Sequence, residues 1–213
     1  MLKKTWTLEK QKYTEIDLGG LESMTIQDAI EVQTDLFGQQ EVASSLLCET
    51  TTSFAMAIAQ RASGLPIKFF KKLPINVMRQ VKRAVQTFIG KTGAADDGIL
   101  QLKKPYCFGG EIYQEFDLSA IADMTVMQES AAENMMTREG IIITENTFNY
   151  LYACIIASMA VNKPKELFMG LPLCGLLNLK EAVNNSNFSS KGWSKGAAQS
   201  GYPAACRERK RPA

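Results

Sequence analysis

The 213-residue chain contains no histidine. That removes the commonest general base, the commonest transition-metal ligand and every Ser-His or Cys-His nucleophile pair. Cysteine is sparse: Cys48, Cys107, Cys154, Cys174 and Cys206 are odd in number and form no Cys-x-x-Cys pair. This pattern argues for reduced thiols, against a disulfide framework and against a zinc site. Long apolar runs are missing too. Stretches such as 151–161 fall short of the ~18 consecutive apolar residues of a membrane span, which predicts a soluble protein. The first twelve residues alternate charged and β-prone types and lack the apolar core of a secretory signal, so a cytoplasmic location is expected.

Excess charge of one sign is also absent, with 24 basic against 22 acidic residues and a net charge of +2. The charge is uneven, however. Positions 191–213 hold six basic residues and one acidic, a balance of +5, which leaves the rest of the chain at −3. Such a body has no global basic field to attract nucleic acid. The acidic groupings Glu15 with Asp17, Asp96 with Asp97, and Glu145 beside Thr144 lack the spacing of a calcium loop or a metal triad. Gly19-Gly20 and Gly109-Gly110 open no phosphate-loop pattern. Catalytic residues, metal ligands and a cofactor site are therefore not assigned, and no enzyme is expected.

What the sequence does have is a repeat. At a shift of 100 positions, Leu2-Lys3-Lys4 falls on Leu102-Lys103-Lys104, Trp6 on Tyr106, Tyr13 on Tyr113, Glu15, Asp17 and Leu18 on Glu115, Asp117 and Leu118, and Met24-Thr25 on Met124-Thr125. Beyond a middle segment the shift becomes 98. Ala55, Ile58, Ala59 and Ala62 then match Ala153, Ile156, Ala157 and Ala160, while Pro66, Phe70 and Leu73-Pro74 match Pro164, Phe168 and Leu171-Pro172. The period exceeds the 20–50 residues of solenoid repeats, so each copy reads as a small domain.

The expected fold class is α+β: two tandem small domains, each a β-hairpin followed by three or four helices, with a disordered C-terminal tail. The boundaries are 1–90 for the first copy, 91–99 for a Gly- and Asp-rich linker, 100–188 for the second copy and 189–213 for the basic tail. Hairpins are predicted from 2–8 with 12–18 and from 102–108 with 112–118, and Gly109-Gly110 suits a two-residue turn needing positive φ. Tyr13, Glu15 and Asp17 then share one strand face, read as solvated. Thr125 with Gln128, and Thr25 with Asp28, have capping-box form. Phe54, Ile58 and Ala62, like Tyr152, Ile156 and Ala160, recur at helical spacing, and Gly64 and Asn162 suit the left-handed residue that ends a helix. Pro66 and Pro164 start a short helix, and Leu73-Pro74 and Leu171-Pro172 open a last one, which in the first copy carries Val77, Val81, Ala84, Val85 and Phe88 on its apolar side. Phe69, Phe70, Leu73, Phe168 and Leu171 are the candidate partner-binding residues, with a packing role as the alternative. The methionines, Met24, Met56, Met78, Met124, Met135 and Met136, read either as gap-filling core or as an adaptable partner surface.

The order of these features resembles the tail assembly chaperones of long-tailed bacteriophages and prophages. The stretch 59–74, Ala-Gln-Arg-Ala-Ser-Gly-Leu-Pro-Ile-Lys-Phe-Phe-Lys-Lys-Leu-Pro, carries the resemblance best, and the hairpin 2–18 agrees with it. Each copy is similar to a whole family member, covering about 1–90 and 100–188. The resemblance implies a non-catalytic helper, acting in the host bacterial cytoplasm, that binds the tape measure protein and brings tail tube subunits to it. The second copy departs from the pattern, with Leu167-Phe168 where the first has Phe69-Phe70. Two other functions compete: a structural tail or adaptor component of the virion, and a nucleic-acid-binding module acting through the basic tail.

Overall fold

The computed structural model describes residues 2–8, 11–41, 47–90, 98–141 and 146–186. The expected linker apart from Gly98 and Ile99, the last residues of the second copy beyond 186 and the basic tail lie outside the described residues. The fold is a mixture of helix and strand, with two separate two-stranded antiparallel sheets.

The N-terminal half begins with β1 (Leu2–Leu8) and β2 (Gln11–Ile16). A 3₁₀ turn at Gly19–Ser23 leads to α1 (Ile26–Gly38), α2 (Thr52–Ser63), α3 (Ile67–Lys71) and α4 (Ile75–Ile89). The C-terminal half repeats that order. It contains β3 (Ile99–Phe108), β4 (Glu111–Asp117), a 3₁₀ turn at Ser119–Asp123, α5 (Val126–Arg138), α6 (Tyr150–Val161), α7 (Lys165–Met169) and α8 (Leu176–Ser186). Shifts of 100 and then 98 carry the helix starts of α1, α2 and α3 onto those of α5, α6 and α7.

Local chemistry explains the shared boundaries. The backbone N–H of Thr25 donates to Asp28 Oδ2 at 2.8 Å, and that of Thr125 donates to Gln128 Oε1 at 2.8 Å, so both helices open with a capping box. Thr51 Oγ1 and Asn149 Oδ1 accept early N–H groups of α2 and α6. Gly64 and Asn162 end these helices with φ of 69° and 52°. Asp17 follows the end of β2 and Asp117 is the last residue of β4, and both are exposed. Each accepts the N–H two residues ahead, from Gly19 and Ser119, at 2.9 Å, and so fixes the turn out of the hairpin.

Three differences from expectation have physical causes. Gly109 and Gly110 adopt φ of 60° and 86°, as the two-residue turn requires, yet the Leu-Lys-Lys match does not extend to strand register. Lys3 pairs with Glu15, whereas Glu115 pairs with Gln101, because the second hairpin has a larger irregularity between Gln101 and Tyr106. That irregularity contains Pro105, which has no N–H for the ladder. Ala84 is exposed rather than on the packed side of α4, while its counterpart Ala182 is buried. Finally, α8 is preceded by a 3₁₀ turn at Leu173–Gly175, so the last helix of the second half starts later than α4 does.

The halves are not separate beads. One continuous buried cluster runs from Ile16 through Val85 and Leu100 to Val183. α1 packs on its own α2 and also on α6 and α7 of the other half. Correspondingly, α6 is buried on every side from Tyr150 to Ala157, whereas α2 buries only Phe54, Ala55, Ile58 and Ala59. A helix apolar all round needs neighbours all round, and the other half supplies them.

Candidate functional site

The polar groups with the most constrained surroundings lie on the junction between the halves. Glu49, from the 3₁₀ turn before α2, is buried and receives Lys180 Nζ of α8 on Oε1 at 2.5 Å and the Tyr150 hydroxyl of α6 on Oε2 at 2.7 Å. The Lys180 ammonium also sits over the Phe148 and Tyr150 rings at 5.8 and 5.7 Å. Beside this cluster, Gln33 of α1 donates to the Phe148 carbonyl at 2.8 Å and accepts the Tyr150 N–H at 2.9 Å. Burial and the adjacent Glu49 charge push the Tyr150 phenol well above its ordinary value, so it stays a donor. Burial likewise raises the Cys48 thiol to about 12 and holds it neutral. With both carboxylate oxygens of Glu49 engaged, this group acts as a clasp between the halves.

A third element of the junction is a short antiparallel bridge between Thr25 and Pro172. The Ile26 N–H donates to the Leu171 carbonyl and the Leu173 N–H donates to the Met24 carbonyl, both at 2.9 Å. Next to the bridge lies a groove of about 160 Å³, lined among others by Glu22, Phe88, Leu102, Lys103, Lys104 and Cys174. Its charged lining is one carboxylate, Glu22, and two lysines. Among the described residues, no cluster of three or more His, Cys, Asp or Glu side chains has the arrangement of a metal site, and no helix is long and apolar enough to cross a membrane.

The candidate partner-binding residues lie inside the fold, on the side of their packing alternative. Phe69, Phe70, Phe168 and Leu171 are buried and Leu73 is partly buried, so these residues belong to the packing of the fold. Phe69 packs on Tyr13 of its hairpin at 4.8 Å and on Phe70 at 5.4 Å. In the other half Phe168 packs on Phe116 of β4 at 4.9 Å, and Phe116 stacks on Tyr113 at 5.1 Å. The aromatic missing from α7, Leu167 in place of Phe69, thus reappears in the strand, where Phe116 replaces Ile16. Among the methionines, Met24, Met78 and Met136 are core and Met135 is exposed.

The large apolar side chains that do face outward are others. Val126 and Met127 at the start of α5 are 81% and 83% exposed, and Ile75 at the start of α4 is 68% exposed. Helix periodicity alone did not single them out, because each occupies the first turn of a helix, where no preceding turn packs beside it. No family model matches the chain, and neither a curated protein nor a solved structure matches it significantly.

Proposed function

We propose that the chain is a duplicated tail assembly chaperone of a phage or prophage, a non-catalytic protein that binds the tape measure protein and helps recruit tail tube subunits in the bacterial cytoplasm. The observation that carries this reading is the stretch 59–74. It runs from α2 through a left-handed Gly64 and Pro66 into α3 and then to Leu73-Pro74, and the same path recurs from α6 to Leu171-Pro172. Because the aromatics of that stretch pack inward, it serves as framework, and partner contact falls to the exposed surface around α4 and α5. Duplication accounts for the recurrence of caps, turns and element order more simply than convergence does.

Co-expression of the full chain with a tape measure protein from the same phage tests the reading. The chaperone should keep that long helical partner soluble and co-purify with it. A tape measure protein that stays insoluble, or soluble but unbound, with the chain present would overturn the assignment.

A further inference from the structure

The junction between the halves uses one surface from each: the 24–26 face of the first half and the 171–173 edge of the second. The corresponding 124–126 face and 73–75 edge do not meet. Instead Val126 and Ile75, the counterparts of buried Ile26 and Leu173, are 81% and 68% exposed. Among the described residues, no hydrogen bond engages the Val126 N–H, the Leu73 carbonyl, the Ile75 N–H or the Met124 carbonyl, the four groups equivalent to those that form the internal bridge. The junction is therefore heterologous, and each chain retains one unsatisfied copy of both of its surfaces.

We propose that the 124–127 face of one chain docks on the 73–75 edge of a second copy of the chain, head to tail, in the manner of the internal junction. Differences between the two junctions are matched across it. Inside the chain Ile30 shares a groove with Met169. Their counterparts are Ser130 and Lys71, and Ala29 is replaced by exposed Glu129, so polar and charged groups replace apolar ones on both sides. The wider surfaces are complementary in charge. Positions 65–90 carry six basic and no acidic residues, with Lys71 paired to Glu41, and positions 111–139 carry seven acidic and one basic, with Glu111 and Glu139 paired to Lys163 and Lys165, so an excess of opposite sign remains on each. Opposite potentials of this kind favour the heterologous pairing over pairing of either surface with itself. The proposal does not depend on what the chain chaperones.

Sedimentation velocity of the full chain over a concentration series tests it. The wild type should grow beyond a monomer as concentration rises. Val126→Lys and Ile75→Asp should each stay monomeric, since each places a like charge and a polar group in one junction and leaves only one competent surface. Mixing the two variants should give a 1:1 dimer and nothing larger, because the first retains the 73–75 edge and the second the 124–127 face. If Val126→Lys lowers the unfolding midpoint, Met127→Lys, at an 83% exposed position, takes its place. A wild type that remains monomeric throughout, a variant that associates as the wild type does, or a mixture that stays monomeric would each overturn the proposal.

Discussion

α1 and α5 begin with the same capping box and have the same length, yet one is a core helix and the other largely a surface helix. α1 buries Ile26, Ala29, Ile30, Val32, Gln33 and Leu36, whereas α5 buries only Ala132 and Met136. Their partners differ in the same sense, α6 being enclosed and α2 half open. The residues which set backbone path, the caps, prolines and left-handed positions, are common to both halves, while the faces differ. Burial follows both the residues on each face, Ala29 and Ile30 in α1 against Glu129 and Ser130 in α5, and what the other half packs against them.

The largest expected effects fall on features present in only one half. Lys180→Met removes one partner of a buried ion pair and should destabilise by about 3–5 kcal/mol, because Glu49 then keeps only the Tyr150 hydroxyl as a buried partner. The double variant Glu49→Leu with Lys180→Met should recover much of that loss in urea unfolding. The counterpart of Lys180 is Lys82, which has no acidic partner at Thr147, so Lys82→Met should change stability by less than about 0.5 kcal/mol.

Features common to both halves should respond equally. Phe70→Ala and Phe168→Ala should each cost about 3–5 kcal/mol as buried aromatics. A difference of more than about 2 kcal/mol between them, set against the usual spread of such truncations, would show that the shared framework is not shared energetically.

A smaller effect separates Gly20 from its counterpart Ala120. A Cβ on Gly20 would lie 2.1 Å from the Ala62 carbonyl oxygen at the end of α2. Gly20→Ala should therefore cost about 1–3 kcal/mol through overpacking, and Ala120→Gly should cost less than that in the same assay.

The smallest effect is one of pH. The folded state holds the Cys48 thiol at about 12 against an ordinary 9.0, with Tyr150 and Tyr152 also raised by burial and nearby carboxylates. A pKa raised on folding gives stability that is intact below the unfolded value and is lost as pH rises above it. Stability should thus be flat near neutrality and decline from about pH 9 upward, and Cys48→Ala should make that decline shallower. An unchanged alkaline slope in the variant would remove Cys48 from the account.

The sequence made the framework legible where chemistry is local. Gly109-Gly110, Thr25, Thr125, Gly64, Asn162 and the two Leu-Pro pairs each constrain a few dihedrals or one hydrogen bond, and the elements begin and end where those constraints fall. Phe69, Phe70, Leu73, Phe168 and Leu171 suit cores and interfaces alike, because aromatic and leucine side chains serve both, and composition does not separate the two. The Glu49, Lys180 and Tyr150 cluster was invisible because its members are separated by up to 131 positions and none has a motif around it. Exposure of Val126 and Ile75 was equally hidden, since it depends on which of two equivalent surfaces the halves use to meet.

The two halves share one order of turns and helices and meet through the 24–26 face of the first and the 171–173 edge of the second. Urea unfolding of Ile26→Ala and Val126→Ala tests this most directly, because the two positions are equivalent in the repeat and differ in burial, 0% against 81% exposed. Ile26→Ala should cost about 2–5 kcal/mol as a buried truncation, and Val126→Ala less than about 0.5 kcal/mol at protein concentrations where the chain is monomeric. Equal losses at the two positions would contradict the account.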